Sequence, residues 1–215
     1  MRKINDLFNE WEKLVKEEGS DHFVPDGVIS EEHWKQANRK ILFILKETNN
    51  YRYNVAELIN TVVTTKEKKP LWQRPTFHNI GRWAYGLLNY PESVNSYDLA
   101  HKHRKYSLLS CAFINVKKTT GTSVSKKKEI EASAEKYKYF LKEQIELLQP
   151  DVIVFGGTYK VIKTYVLPEL SKVSYRIHKY KDIICINANH PACTKKRKEL
   201  YKQVMDNYHK YMSQI

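Results

Sequence analysis

Cysteine is scarce in this chain of 215 residues: only Cys111, Cys185 and Cys193, an odd number, widely spaced and without a CxxC pair. That argues against a disulfide framework and against a zinc ribbon, so reduced thiols and no structural metal are expected. No apolar run approaches the ~20 residues that cross a bilayer. The N-terminal stretch MRKINDLFNEWEKLVKEE sets acids among its apolar positions, unlike a signal peptide. The expectation is a cytoplasmic protein with no membrane partner. No repeat, low-complexity segment or linker divides the sequence, and a chain of this length buries a core without staples. One domain over 1–215 is expected, with an opening helix at 1–18 packed on the body.

Acidic charge is also short. Asp and Glu number 24 against 37 Lys and Arg, a net charge of +13 and a pI near 9.5. A surplus of cations attracts polyphosphate and gains affinity by releasing condensed counterions, which makes nucleic acid the leading partner class. The basic residues concentrate in HKHRK at 101–105, in 117–128 and in KKRK at 195–198, each in or beside an expected loop.

The apolar pattern alternates between buried strands and amphipathic helices. Ile4, Leu7, Phe8, Trp11, Leu14 and Val15 follow one helix face up to Gly19. Four apolar runs read as strands: Ile41 to Leu45, residues 107–116, DVIVFGG from 151, and IICIN at 183–187. Between them lie a long functional loop over 51–78 carrying a helical turn, helical spacing at 79–89, and the longest helix at 129–149, ended by Pro150. A last amphipathic helix runs from about Lys196 to Met212. Such alternation predicts an α/β fold of three layers, αβα, with a central four-stranded parallel sheet and right-handed crossovers.

In an open parallel sheet, ligands bind beyond the carboxyl ends of the strands. The loops there supply Glu47, Thr48, Asn49 and Asn50 after the first strand, Asn115 after the second, Gly156 and Gly157 after the third, and Asn187, Asn189 and His190 after the fourth. The segments ILFILKETNN, FINVKK, EIEASAEKYKYFLKEQIELLQPDVIVFGG and INANHPAC resemble, in the same order, the water-activating loop, base-reading strand, central helix with its following strand, and leaving-group loop of the uracil-DNA glycosylase superfamily. The resemblance covers roughly residues 40 to 195. It implies a monofunctional, metal-independent DNA glycosylase acting as a monomer, with no cofactor and no obligatory protein partner.

Under that resemblance Glu47, with Asn49 as a substitute one register away, serves the attacking water, and His190 serves the departing base. Asn115 reads the base edge. Phe77, Tyr51 or Tyr53 supply an aromatic floor, and Thr48, Asn50, Gly156, Gly157 and Asn189 line the site. Lys117, Lys118, Lys126, Lys127, Lys195, Lys196 and Arg197 hold flanking phosphates without reading sequence. The sequence departs from the family pattern in two places: Lys46 to Asn50 contains neither glycine nor proline, and Ala192 follows the His-Pro pair where relatives carry serine. Relatives with an iron–sulfur cluster use four cysteines, and this chain has three. The substrate expected is therefore a deaminated or modified base on single-stranded DNA or flipped from a duplex. The alternatives are a binding protein of the same fold with altered chemistry and, ranked last, a small-nucleotide enzyme.

Each candidate also has an ordinary structural role. A carboxylate at a strand end commonly pairs with a base, an asparagine in a loop commonly caps a turn, and Trp72, Phe77, Trp83 and Tyr85 read first as packing aromatics. Cys193, three residues from His190, makes a poor nucleophile pair.

Overall fold

A computed structural model describes residues 3–20, 22–48, 51–65, 75–93, 96–121 and 124–215. Its centre follows directly from the apolar runs. β2 (Ile41–Leu45), β3 (Cys111–Asn115) and β4 (Val152–Gly156) are buried at every position, as a strand covered on both faces requires. β3, β2, β4 and β7 (Ile183–Ala188) lie side by side in parallel register, with Ile41 opposite both Cys111 and Val152, and Val152 opposite Ile184.

The sheet is larger than the four parallel strands expected. Among the described residues it is seven-stranded and mixed, in the order β1-β3-β2-β4-β7-β6-β5. β1 (Gly27–Val28), β5 (Ser171–Ser174) and β6 (Ile177–Tyr180) extend it by antiparallel pairing at the two edges. β5 and β6 were hidden because β5 is polar and largely exposed. Their turns also lack the usual glycine: Arg176 and Lys181 take left-handed conformations at φ 60° and 53°.

Period-two alternation along β2 divides the core. Ile41, Phe43 and Leu45 join one cluster with Ile59 of α3 (Val55–Thr64), Ile80 and Trp83 of α4 (Pro75–Leu88), and Val204 and Tyr208 of α9 (Arg197–Met212). Leu42 and Ile44 join the opposite cluster with Trp11 of α1 (Ile4–Glu17), Ile130 of α6 (Lys127–Lys136), and Leu141 and Ile145 of α7 (Lys138–Leu148). Helices therefore cover both faces, and Trp11 and Val15 of α1 are buried in the second cluster. Trp83 and Tyr85 are packing residues: the Trp83 indole N–H donates to Leu200 O at 3.0 Å, and Tyr85 stacks on His103. Trp72 lies outside the described residues.

Two helical expectations need correction. The segment 129–149 is two helices rather than one, broken at Tyr137 (φ −105°, ψ 22°), whose ring packs on Trp11 and whose hydroxyl donates to Glu18. Within 51–78, Asn54 caps a ten-residue helix, α3, by accepting from Ala56 N at 2.8 Å and Glu57 N at 3.2 Å, where only a helical turn was expected. No helix among the described residues is long and apolar enough to cross a membrane.

Candidate functional site

The carboxyl ends of β2, β3 and β7 open onto a cleft of about 640 Å³. Its walls bring together Glu47, Thr48, Phe77, Asn115 and His190 from four separate segments, together with Tyr51, Phe113, Ser125 and Ala192. Asn49 and Asn50 lie outside the described residues. Gly157 and Asn189 line an adjoining cavity of about 580 Å³ that shares Lys46 and His190 with the first. Gly156 lines neither; it packs between Leu45 and Pro191, where a Cβ would come within 2.6 Å of Leu45 Cδ2.

Asn115 ends β3 and is almost fully buried. Its backbone N–H donates to Asp26 Oδ2 at 2.7 Å, while its side-chain amide faces the cleft and makes no hydrogen bond to the described residues. An amide so held offers one acceptor and two donors to a ligand edge. Phe77 of α4 packs on Phe113, which in turn packs on Phe43, so the aromatic wall is continuous with the core. Tyr51 also reaches the cleft, its loop closed by Thr48 Oγ1 donating to Tyr51 O at 2.8 Å. Tyr53 is 72% exposed and stands outside.

His190 is neutral at physiological pH: desolvation, aided by the charge of Lys46, lowers its pKa to about 4. Its Nδ1 accepts from Ala192 N at 3.2 Å, which leaves the ring proton on Nε2. A neutral imidazole with Nε2–H is a hydrogen-bond donor for developing negative charge.

Glu47 enters the cleft wall already paired. Its side chain is 1% exposed and accepts from Lys117 Nζ at 3.0 Å, and Lys117 also reaches Glu129 at 3.2 Å. Burial opposes the Lys117 charge, but the bonds to Glu47 and Glu129 outweigh it and hold the ammonium above its ordinary pKa. Gly121 closes over this pair so tightly that a Cβ there would collide with the carboxylate. Lys117 therefore serves Glu47 rather than standing free for a phosphate.

Lys118 corrects the sequence reading outright. Its side chain is 1% exposed and donates to both carboxylate oxygens of the fully buried Asp26 at 2.6 Å, with the ammonium 5.2 Å from the centre of the Trp11 ring. Gln144 Nε2 completes the network on Asp26 at 2.8 Å. A buried cation so enclosed cannot touch a phosphate; it anchors Asp26 and, through it, the end of β3. The other basic residues expected at the surface are there: Lys126, Lys127, Lys195, Lys196 and Arg197 are all exposed. Lys126 and Lys127 pair with Glu129 and Glu131 along α6.

Burial pushes the Cys185 thiol up to about 12 and the Cys111 thiol up as well, which disarms both as nucleophiles. Among the described residues no three His, Cys, Asp or Glu side chains are grouped to hold a metal. The chain matches no protein-family model and no curated protein, so its function is argued from this geometry.

Proposed function

We propose that the chain is a single-domain, uracil-DNA glycosylase-like hydrolase that cleaves the N-glycosidic bond of a deaminated or modified base flipped out of DNA. The observation that carries the reading is the meeting in one cleft of Asn115, Phe77, His190 and Glu47. A flipped base needs an aromatic surface and an edge reader, and Phe77 and Asn115 are suited to those roles. Cleavage of the C1′–N bond leaves negative charge on the base and an oxocarbenium-like sugar. The neutral His190 donates to the base as that charge develops. Glu47 orients the water that attacks C1′ and accepts its proton. The exposed Lys126, Lys127, Lys195, Lys196 and Arg197 adjoin, along the chain, the cleft residues Ser125 and Ala192 and suit contacts to flanking phosphates.

Mass spectrometry of free base released from DNAs carrying uracil, deaminated purines and bulky modified cytosines tests the proposal. A base released by the native protein and not by His190→Ala or Glu47→Ala supports it. DNA binding without release of any base contradicts it.

One observation favours a second reading, a nucleic-acid-binding protein of the same fold without the chemistry. Glu47 is tied to Lys117 and covered by Gly121, the surroundings of a structural ion pair. On that reading Glu47→Gln leaves DNA affinity intact and there is no release to lose.

A further inference from the structure

A second concentration of positive charge lies apart from the cleft walls, where α4 meets α5 (Tyr97–His103) and the first turn of α9. Arg82 projects from the middle of α4 and is 1% exposed. It donates to the carbonyl of His78 at 3.0 Å, to Asn79 Oδ1 at 2.9 Å and to His101 Nδ1 at 2.8 Å, and its Nε, also buried, has no partner. Arg104 donates from Nε to His78 Nδ1 at 2.9 Å. Arg197 stands close enough that its charge bears on Arg82, Arg104, His78 and His101 together. Among the described residues, no carboxylate pairs with any of the three guanidiniums. Asp98 acts on the cluster through its field on His101.

This arrangement is costly as it stands. A buried cation without a counterion is strongly disfavoured, and two further guanidiniums add repulsion. Helix packing enforces the crowding: a Cβ on Gly81 would collide with the Arg104 carbonyl, so only glycine lets α4 approach so closely. The histidines adapt to the cations. A guanidinium only donates, so His78 and His101 accept at Nδ1 and carry their protons on Nε2. Burial and the arginine charges lower the pKa of His78 to about 4. Tyr97 lies in the same region, with Arg82 at 5.7 Å and Lys198 at 6.0 Å from its ring centre. Three fixed positive charges meet here without a paired carboxylate among the described residues.

We infer that Arg104, Arg197 and His101, backed by the buried Arg82, form a binding site for a phosphomonoester. Charge match selects that group over a backbone phosphodiester. A monoester carries about −1.5 to −2 at pH 7 and offers three acceptor oxygens to guanidinium forks, whereas a diester carries a single charge. Through α4 the site is joined to the cleft, Asn79 Nδ2 donating to Pro191 O at 2.6 Å, one residue from His190, and it shares Arg197 with the basic surface assigned above to flanking phosphates. The inference goes beyond the glycosylase reading and does not depend on it.

Calorimetric titration of the full chain with inorganic phosphate, a nucleoside monophosphate, and one oligonucleotide in 5′-phosphate and 5′-hydroxyl forms tests the site. The expected result is binding of phosphate-terminated ligands, weakened about tenfold or more in Arg104→Ala and in Arg197→Ala, the loss of one charge-assisted contact. Both are substitutions on the accessible side of the cluster, and His190→Ala should bind phosphate as the native chain does. Preference for the nucleotide or for the 5′-phosphate strand tells a free ligand from a strand end. No binding of the nucleoside monophosphate together with equal affinity for the 5′-phosphate and 5′-hydroxyl strands, or unchanged binding in both arginine variants, overturns the inference.

Discussion

Two buried cations in this protein, Lys118 and Arg82, are equally hidden from solvent and oppositely furnished. Lys118 is clasped by Asp26, with Gln144 and the Asn115 backbone completing the carboxylate's bonds. Arg82 has carbonyl, amide and imidazole acceptors but no carboxylate among the described residues. A compensated buried charge organises the structure around it, whereas an uncompensated one leaves a field for a ligand to answer. The contrast separates the basic residues that shape the cleft, Lys117 and Lys118, from those that remain available to anions, Arg104 and Arg197 with the lysines at the start of α6 and before α9.

The sharpest way to break the comparison is at Lys118. Lys118→Ala leaves Asp26 buried and unpaired and is expected to lower unfolding free energy by about 3–5 kcal/mol in chemical denaturation. A loss under 1 kcal/mol would mean that the pair is not the organising element. Next in size, His190→Ala is expected to slow base release by about 100-fold, the low end for a positioned proton donor or acceptor, with DNA affinity unchanged in a fluorescence anisotropy assay.

A third test uses pH. His190 and His78 titrate near 4 in the folded chain, below the ordinary value of 6.5. The unfolded chain therefore binds more protons between those values, so their stabilising contribution is complete above about pH 6.5 and is lost as pH falls toward 4. Denaturant midpoints measured from pH 7 to 4.5 should fall less steeply in His190→Gln than in the native chain. The smallest effect belongs to Lys126, exposed and paired, among the described residues, with Glu129 three residues on. Lys126→Ala should leave stability unchanged within error and reduce the salt slope of DNA binding by about one.

The parallel middle of the sheet was legible because strands covered on both faces must be apolar throughout. Ile41–Leu45 and Val152–Gly156 are buried at every position. The edge hairpin was not, since Ser171–Ser174 faces solvent and Arg176 takes a left-handed turn with no glycine to announce it. The strand-end rule likewise found Glu47, Asn115 and His190, and the cleft unites them with Phe77. It could not find Asp26, which meets Lys118 across 92 positions of sequence, nor the reversal of role that this pairing imposes on a lysine in a basic run. Arg82 was hidden in another way: it stands among the apolar residues of α4, outside every basic cluster. Local pattern reports burial well, but pairing between distant charges is decided only when the chain closes.

Single-turnover base release with native protein and His190→Ala, at equal DNA occupancy, tests the glycosylase reading most directly. The expected result is one class of base freed by the native chain and retained by the variant, with both proteins equally bound to DNA. Saturating DNA binding with no base freed by the native chain would contradict it.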